Sequence, residues 1–483
     1  MSSFYLTSTL PYVNAQPHIG HALEFIQADV ICRRRRQQGD DVLFNVGTDE
    51  HGLKILQKAE ELEMDVKTFV DMNVRTFEDF FTQFSIARDN FYRTSALSHR
   101  AVAQGIWELC SKKWDISKKT YTGLYCVGCE SFKTTKDLVD GKCPDHNKEP
   151  VHFEQENYFF KLSSYKDTLR DYYIQNEPLL PKNKLNELLN FIDGMEDISI
   201  SRTKESLPRW VPVPGDESQV MYVWFDALSN YIWAAGFPDD MKKVETFWPW
   251  VQIFGPDNLR FQCAIRQGML ASAWFPLTKT FLMHGMILGP DGNKMSKTLG
   301  NVISPIDQLE KFGAEAVRFY LIAGIPTFGD AAYKEDDLVN LRNSRLANAF
   351  GNMLSRVIAL ANKKEISLQW SIVSELVADQ IQKTTKHVEH LYNTYELYEA
   401  AWAIHDLALR WNKHFDEQKP REKETDPMIT VQTLLDLAAL LRCLIELYTP
   451  IIPTICAQAT VLLDTQEKAI LCTKLEMHSN EIL

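Results

Sequence analysis

Two short segments of this chain carry side chains suited to binding a polyphosphate. The first is Pro17-His18-Ile19-Gly20-His21, and the second is Lys294-Met295-Ser296-Lys297-Thr298. Both follow strand-like apolar runs, and the proline of the first segment is placed where a helix would begin. Its two histidines are three residues apart and therefore share one face, at the helix end that attracts anions. We expect both histidines and both lysines to bind phosphate groups.

Each segment also has a simpler explanation. A histidine pair at a helix start is usually a cap or a surface feature, and a Lys-x-x-Lys loop is usually solvated. Gly20 favours the binding interpretation, because it lets a flat ring or a phosphate approach the backbone closely. Gly289, Gly292 and Gly300 bracket the two lysines, as expected of a loop that moves and then closes on an anion.

The size and composition of the chain indicate a multidomain globular protein. Its 483 residues exceed what one core usually supports, and 45% of them are hydrophobic. No signal peptide opens the sequence and no apolar run reaches the length of a membrane span, so we expect no membrane association. Nine cysteines without regular spacing favour a reducing, cytoplasmic location. The net charge of -12 does not exclude RNA as a partner, because exposed charges are screened within about 10 Å.

The order of strand and helix signals predicts an α/β protein with an additional helical domain. We expect a Rossmann-like parallel-sheet catalytic domain that is split by a zinc-knuckle insertion and followed by an all-α helix bundle. Buried strands are predicted at residues 4–10, 41–47, 220–225, 251–255 and 280–285. The predicted boundaries are 1–115 for the first catalytic half, 116–219 for the insertion, 220–335 for the second half with the lysine loop, and 336–483 for the helical domain.

Four residues of the insertion have the spacing of a zinc site. Cys126 and Cys129 are followed by Cys143 and His146, and each pair encloses two residues. Thiolates and an imidazole at this spacing wrap one tetrahedral ion, and zinc suits these ligands. Because protein fills all four positions, we expect a closed, structural site with a single zinc ion per chain. Cysteines that lie near a loop without a metal are the alternative, and the fourth ligand at the right offset argues against it.

Taken together, the two phosphate-binding segments resemble the signature motifs of class I aminoacyl-tRNA synthetases. Four other segments narrow the resemblance to the methionyl-tRNA synthetase family, over about residues 3–465: Thr9-Leu10-Pro11-Tyr12-Val13-Asn14, Gly47-Thr48-Asp49-Glu50-His51-Gly52, Tyr222-Val223-Trp224-Phe225-Asp226-Ala227 and Leu299-Gly300-Asn301-Val302. The resemblance implies activation of L-methionine with ATP to methionyl-adenylate and transfer to tRNA(Met), with release of AMP and pyrophosphate.

The resemblance also implies which residues bind the nucleotide. The catalytic residues are His18, His21, Lys294 and Lys297. Activation joins a carboxylate to phosphorus and needs no general base, so these residues align the reactants and neutralise charge. ATP binding is implied for Gly20, Glu24, Lys294, Met295, Ser296 and Lys297, and Mg²⁺ would accompany ATP, held mainly by phosphate oxygens.

A second set of residues is implied to bind methionine: Leu10, Tyr12, Asp49, Trp224, Ala227, Tyr231, Phe261 and Gln262. Aromatic walls suit a flexible thioether through their area and sulfur–ring contacts. Asp49 is implied to hold the substrate ammonium. It also has independent support, because a carboxylate just past a strand end lies where open α/β sheets bind ligands.

Three positions depart from the family pattern. Gln262 stands where many members have histidine, and Arg266 where an aromatic residue is more usual, which bears on amino acid selectivity. In the helical domain, Asn352 and Arg356 match the family's anticodon-reading pair, four residues apart on one helical face. Arg421 follows a proline where the family usually has tryptophan, and its guanidinium plane could stack on an RNA base.

Three functions are compatible with these residues. The first is a methionine–tRNA ligase. The second is a synthetase paralogue with an altered amino acid or acceptor, which Gln262 and Arg421 motivate. The third is a non-catalytic tRNA-binding protein, and the intact phosphate-binding set argues against it. A monomer is expected, because no appended dimerisation domain follows the helix bundle.

Overall fold

The computed structural model describes residues 2–126, 131–133, 137–144, 147–205, 210–249, 251–295, 300–369, 373–422 and 425–476. The chain divides into two compact units. Unit 1 comprises Met1–Gln16, Asp40–Asp79 and Arg88–Met283, and unit 2 comprises Pro17–Gly39, Phe80–Ala87 and His284–Leu483. The chain therefore passes between the units several times.

The strands of the described chain, in order, are β1 (Ser3–Thr7), β2 (Asp41–Thr48), β3 (Asn90–Arg93), β4 (Ile116–Cys126), β5 (Ser131–Lys133), β6 (Val151–Phe160), β7 (Leu179–Leu180), β8 (Ile198–Ser199), β9 (Ser201–Thr203), β10 (Pro212–Val213), β11 (Asp216–Met221), β12 (Val251–Phe254), β13 (Thr280–Met283), β14 (Ile287–Leu288) and β15 (Ala331–Ala332).

The α-helices, in order, are α1 (Ile19–Gln37), α2 (Leu53–Glu61), α3 (Val66–Gln83), α4 (Leu97–Lys112), α5 (Lys166–Asn176), α6 (Leu185–Asp193), α7 (Val223–Leu228), α8 (Asn230–Ala234), α9 (Met241–Phe247), α10 (Arg266–Ser272), α11 (Pro305–Phe312), α12 (Ala314–Ala323), α13 (Glu335–Leu341), α14 (Asn352–Lys363), α15 (Glu375–Asn393), α16 (Leu397–Gln418), α17 (Pro427–Tyr448) and α18 (Pro453–Thr465). Two π-helical stretches, Phe261–Ile265 and Arg342–Gly351, precede α10 and α14.

Unit 1 is built on a six-stranded parallel sheet in the order β3-β2-β1-β12-β13-β7. Leu6 of β1 lies opposite Phe44 on one side and Val251 on the other. The central strands are almost wholly buried, as expected for a parallel sheet that is covered on both faces. The succession of strands reverses between β1 and β12, and open α/β sheets bind ligands beside the carboxyl ends of strands at such a point. The predicted α/β fold with a parallel sheet is confirmed.

Two features of unit 1 differ from expectation. β7 comes from within the predicted insertion, yet it forms an edge of the parallel sheet by pairing with β13. The predicted strand at 220–225 is wrong beyond its first two residues, because β11 ends at Met221 and helix α7 begins at Val223. β11 belongs instead to an antiparallel sheet with β9 and β10. A short apolar run does not distinguish a buried strand from a buried helix, which explains the error.

Unit 2 is mainly helical, with α1 and α11 to α18 as its principal elements. By length and composition, α17 could span a membrane, with a mean hydropathy of 1.7 in its most apolar window. The sequence analysis expected no apolar run of this length, and by length and composition α17 contradicts that expectation. Since 67% of that window is buried and α17 packs against α14, α15, α16 and α18, it occupies the position of a core helix in the bundle.

One buried ion pair joins four segments of unit 2. Arg318 on α12 is fully buried and donates from Nη2 to Asp29 Oδ2 on α1 at 2.7 Å. Its other hydrogen bonds reach the carbonyl oxygens of Phe84 at 3.0 Å, Ile451 at 2.9 Å and Pro450 at 3.0 Å. A buried charge is tolerated only when it is paired and hydrogen-bonded, so this arrangement fixes where α1 lies within unit 2.

The run of four arginines at the end of α1 is used in contacts within unit 2. Arg33 Nε donates to Asp29 at 2.8 Å, and Arg34 Nη2 donates to Glu389 of α15 at 3.0 Å. Arg36 donates to the carbonyl oxygen of Ala87 at 3.0 Å. These contacts fit the structural role that positive charge has at a helix carboxyl end.

Replacing Arg318 with methionine should destabilise unit 2, because buried Asp29 would lose one of the two cations that pair with it. We expect a loss of about 3–5 kcal/mol in the free energy of unfolding, measured by urea titration, as for other broken buried pairs. Asp29→Asn in the same chain should recover part of that loss. Arg170→Met is the control, since Arg170 pairs with Asp193 at the surface, and it should cost under about 1 kcal/mol. If Arg318→Met and Arg170→Met lowered the free energy of unfolding equally, the assigned importance of the buried pair would be contradicted.

Candidate active site

The two histidines of the first motif close the amino-terminal end of α1. His18 is the N-cap residue, and its Nδ1 accepts hydrogen bonds from the backbone N–H groups of Gly20 (3.1 Å) and His21 (3.3 Å). Nδ1 of His21 accepts in return from the backbone N–H of His18 (3.2 Å). This reciprocal arrangement is a capping box made from two imidazoles. A Cβ on Gly20 would lie 3.0 Å from the His18 ring, so glycine makes room for the capping ring.

Capping determines which nitrogen of each ring carries the proton. A ring nitrogen that accepts a hydrogen bond has no proton, so in the neutral imidazole the proton lies on Nε2. The two rings stack, with centroids 3.7 Å apart and planes inclined by 20°. Burial lowers the pKa of His21 well below its usual value, and His18 and His284 lower it further. His21 is therefore a neutral ring that donates from Nε2 near neutral pH.

His284 and Glu24 form a buried pair in unit 2 that the sequence analysis assigned only in part. Nε2 of His284 lies 3.2 Å from Oε2 of Glu24, and Nδ1 donates to the carbonyl oxygen of Gly285 at 2.7 Å. Glu24 lies on α1, one turn after His21. The sequence analysis predicted Glu24 to bind ATP and missed His284. A histidine directly after β13 was the available signal, because residues at strand carboxyl ends line ligand sites in such sheets.

The second motif begins in a hairpin that follows β14. The N–H of Gly289 donates to the carbonyl oxygen of Asn293 at 2.8 Å, and Lys294 forms an antiparallel bridge with Leu288. Gly292 has a φ of 78° at the tip, a conformation that favours glycine. The backbone thus places Lys294 at the base of a tight turn.

The segment that follows the lysine motif lies beside the start of α1 in unit 2. The carbonyl oxygen of Ile303 accepts a hydrogen bond from the N–H of Ile19, the first residue of α1, at 3.0 Å. The chain that leaves the motif therefore contacts the turn that His18 caps. Met295 is described, whereas Ser296 and Lys297 lie outside the described residues.

Asp49 lies just past the carboxyl end of β2 and is held by its backbone. Its N–H donates to the carbonyl oxygen of Pro11 at 2.9 Å, and its own carbonyl oxygen accepts from the N–H of Val13 at 3.3 Å. These bonds place Tyr12 opposite Asp49 in a parallel bridge. Oδ1 of the buried carboxylate accepts from the N–H of His51 at 3.2 Å. The loops after β1 and β2 are thus joined at the predicted ammonium-binding residue.

A second carboxylate in this loop anchors it to β3. Glu50 is buried and accepts hydrogen bonds from both Nε (2.7 Å) and Nη2 (2.9 Å) of Arg93. It also accepts hydrogen bonds from the hydroxyl groups of Ser95 and Thr48. A bidentate arginine–carboxylate pair of this kind fixes orientation as well as charge. Nothing in the sequence pattern paired Glu50 with Arg93, because 43 residues separate them.

Several predicted methionine-binding residues come together in unit 1 as an aromatic group. Trp224 packs edge-to-face against Phe261 with centroids 4.5 Å apart, and against Tyr222 at 4.9 Å. Tyr12 packs against the cluster that contains Tyr222 and Val223. Of the other apolar members of this set, Tyr231 belongs to the main hydrophobic core and Leu10 packs against it, and Ala227 is buried. Leu10 lies where a Cβ on Gly47 would come within 2.9 Å of it.

Gln262 and Arg266 form one buried polar network with Tyr231. Nε2 of Gln262 donates to the Tyr231 hydroxyl at 2.9 Å, and its Oε1 accepts from Nη1 of Arg266 at 3.2 Å. The guanidinium also donates to Gln252 and Thr278 and lies 4.6 Å from the centre of the Tyr231 ring. Burial lowers the pKa of Arg266. The two departures from the family pattern are therefore in direct contact, and glutamine at 262 keeps a second ionisable cation away from Arg266.

Half of the predicted zinc ligands fall in described positions. Cys126 ends β4 and Cys143 follows a hairpin turn, and both side chains are buried. In that turn Val139 and Lys142 exchange backbone hydrogen bonds of 2.9 Å around Gly141, which has a φ of 77°. Cys129 and His146 lie outside the described residues. Within the described part of the chain, no group of three or more metal-binding side chains occurs.

The predicted anticodon-binding arginines lie around one phenylalanine of unit 2. The guanidinium of Arg356 is 4.3 Å from the centre of the Phe415 ring, and that of Arg421 is 5.4 Å from it. Arg356 also pairs with Asp416. Asn352 is the first residue of α14, one turn before Arg356. The sequence analysis did not identify Phe415, which brings the two arginines together from α14 and from the segment after α16.

Comparison with known proteins gives consistent matches along the chain. A family model described as tRNA synthetases class I (M) matches residues 4–151 and 135–358. Methionine–tRNA ligase from Caldanaerobacter subterraneus subsp. tengcongensis is 36% identical over 466 residues, covering 93% of this chain and 72% of that protein. The methionine–tRNA ligase of Brucella suis is 35% identical over 464 residues, covering 93% of this chain and 89% of that protein.

A solved structure is similar over almost the whole chain. Mycobacterium tuberculosis methionyl-tRNA synthetase in complex with methionyl-adenylate superposes with a TM-score of 0.90. The two sequences are 31% identical, and the match covers 99% of this chain and 97% of that one.

The neutral tautomer of His21 can be tested by nitrogen NMR of histidine-labelled protein. At pH 6 we expect the His21 ring to show a protonated Nε2 and an unprotonated Nδ1, because burial and two neighbouring imidazoles lower its pKa. The signal is assigned by its loss in His21→Gln, and His387, which is exposed on α15, provides a control ring. A His21 signal that titrates with a pKa near 6.5 or above would contradict this assignment.

Proposed function

The chain belongs to the methionine–tRNA ligase family of class I tRNA synthetases, and from this premise we propose that it charges tRNA(Met) with methionine. In the first step a carboxylate oxygen of L-methionine forms a bond to the α-phosphorus of ATP, and the bond to pyrophosphate breaks. In the second step a ribose hydroxyl of the tRNA terminus attacks the methionyl carbonyl, and AMP leaves. The products are methionyl-tRNA, AMP and pyrophosphate.

The observation that carries this proposal is the imidazole pair at the start of α1. Two stacked rings, with Nδ1 of each engaged by backbone N–H groups, direct their Nε2 protons away from the helix end. Neutral donors at a helix amino terminus suit phosphate oxygens without repelling each other as two cations would. We assign His18 and His21 to the ATP phosphates on this basis.

The lysine segment supplies positive charge for the same nucleotide. Contact between Ile303 and Ile19 supports a role for Lys294 near the phosphates, and Lys297 is assigned with it by its place in the motif. Ammonium groups that neutralise pyrophosphate as it leaves stabilise the transition state more than the ground state. Mg²⁺ bound to the ATP phosphates would neutralise further charge.

The amino acid is assigned to unit 1. Asp49 would hold the ammonium group, and the aromatic group of Tyr12, Trp224 and Phe261 would contact the thioether side chain. Tyr231 accepts its hydrogen bond from Gln262, so the hydroxyl proton of Tyr231 is directed to another acceptor. We assign Gln262 to pocket shape and polarity, with Arg266 fixing its orientation.

We assign the anticodon of the tRNA to the surface of unit 2 around Phe415. Arg356 and Arg421 lie over that ring, and guanidinium planes stack on unpaired bases while pairing with phosphates. Asn352 adds an amide that can hydrogen-bond a base edge.

Since no disulfide joins the described cysteines, we also propose a reducing, cytoplasmic location.

We propose in addition a structural zinc ion held by Cys126, Cys129, Cys143 and His146. Two buried thiols at the ends of a strand and a hairpin suit a closed thiolate site. The ion would stabilise the fold of the insertion and take no part in bond making.

An exchange assay tests the proposed reaction and its nearest alternative. Incubation with ATP, labelled pyrophosphate and each of the amino acids in turn should give exchange with methionine alone. A preference for another amino acid would favour a paralogue, for which the Gln262–Arg266 network is the specific motivation. An absence of exchange with every amino acid would rule out activation.

A metal analysis tests the zinc site independently of catalysis. Protein purified without chelator should contain about one zinc ion per chain, as expected for a four-ligand structural site. Cys143→Ser should lose most of the metal and should lower the thermal stability of the insertion. Cys263→Ser is a matched control, because Cys263 is a buried thiol outside the cluster. Wild-type protein that contains no zinc would contradict the proposal.

A further inference from the structure

Asp226 is a fully buried carboxylate on α7 that has no part in the function described so far. It lies between Trp224 and Ala227, two residues assigned to the methionine pocket. A buried carboxylate is costly unless donors surround it, so its position requires an explanation.

Each oxygen of this carboxylate accepts a hydrogen bond from one imidazole. His51 donates from Nδ1 to Oδ2 at 2.5 Å, and His99 donates from Nε2 to Oδ1 at 2.7 Å. Burial alone would raise the pKa of Asp226, but attraction to both histidines outweighs it and lowers that pKa to about 2. Asp226 therefore stays an anion with both acceptors in use.

The ring of His99 shows that this geometry is maintained at a cost. His99 is fully buried, and among the described residues its Nδ1 has no hydrogen-bond partner. Nε2 donates to Asp226 while Nδ1 has no partner, so among the described residues the hydrogen bonding of this ring serves Asp226 alone. An unsatisfied buried nitrogen indicates that holding Asp226 outweighs the loss of one hydrogen bond.

His51 transmits this fixed position to Asp49. Its side chain is held by Asp226, and its backbone N–H donates to Oδ1 of Asp49 at 3.2 Å. The same residue thus connects α7, which carries Trp224, with the loop after β2, which carries Asp49. Rotation of the His51 ring away from Asp226 would release the peptide that orients the Asp49 carboxylate.

We propose that His51, Asp226 and His99 are positioning residues for the substrate ammonium. They hold the carboxylate of Asp49 in the orientation that pairs with an α-ammonium group, and they fix its distance from the aromatic wall. This inference rests on the proposed function, in which Asp49 binds that ammonium. By this inference, three residues from separate parts of the chain contribute to specificity for α-amino acids.

The test compares two ligands that differ only in the ammonium group. These are L-methionine and its desamino analogue γ-methylthiobutyrate, with dissociation constants measured by isothermal titration calorimetry on the full chain. His51→Leu and Asp226→Asn should weaken methionine binding by about tenfold, the size expected for disturbing a hydrogen-bonded charge. Binding of the desamino analogue and the KM for ATP should change less than about twofold, which is within ordinary variation for an untouched contact.

Conservative variants separate positioning from simple loss of packing. His99→Gln and His51→Asn each retain an amide N–H near the original donor, at the Nε2 and Nδ1 positions respectively. They should restore most of the methionine affinity that His99→Leu and His51→Leu lose. Asp436→Asn is the control, because Asp436 is a buried carboxylate on α17 that accepts from Ser374. That variant should leave the ratio of the two affinities unchanged.

The outcomes distinguish this inference from the proposed function. If Asp49→Asn selectively weakens methionine but His51→Leu and Asp226→Asn weaken both ligands equally, the positioning role is wrong and the ammonium assignment stands. If Asp49→Asn weakens both ligands equally, the ammonium assignment itself fails. Should the leucine variants not fold, failure of folded His51→Asn and His99→Gln to keep the wild-type affinity ratio would overturn the inference.

Discussion

The buried pairing of Asp29 with Arg318 constrains unit 2 more than any apolar contact does. Hydrophobic packing permits small sliding of helices, whereas a buried carboxylate must meet its donors at fixed distances and angles. Asp29 accepts hydrogen bonds from Arg33, Arg318 and the N–H of Ala87. These bonds fix the position of its helix, α1, along the helix axis. The histidines at the start of that helix inherit this position. Placement of the turn that carries the histidine pair thus depends on a charge two to three turns away.

Unit 1 fixes the loop that carries Asp49 by the same kind of buried polar pairing. Asp226 is held by His51 and His99, and Glu50 is held by Arg93, so the loop between β2 and α2 is fixed at successive residues. Asp49 lies between these anchored neighbours. Such preorganisation leaves the Asp49 carboxylate little orientational freedom to lose when a ligand binds.

The sequence predicted the central strands and the chemical motifs but not the polar networks. β1, β2, β12 and β13 follow from continuous apolar runs, because a parallel sheet buries both faces. The same criterion failed at Val223, where a buried helix is equally apolar. His99 and Asp226 are 127 residues apart, and no periodicity relates residues at that separation. His284 was missed for a similar reason, since only the fold brings it to Glu24.

The histidine pair shows why a structural and a functional explanation need not compete. Capping was the simpler explanation, and the capping bonds exist. Yet the bonds to Nδ1 are what assign the proton to Nε2, and stacking at 3.7 Å disfavours two charged rings. Gln262 and Arg266 also have to be interpreted through their contact with each other. Each departs from the family pattern, but a neutral amide beside a buried guanidinium avoids the repulsion that an ionisable imidazole would meet there. The two substitutions are therefore one physical change, and each position has to be judged with its neighbour present.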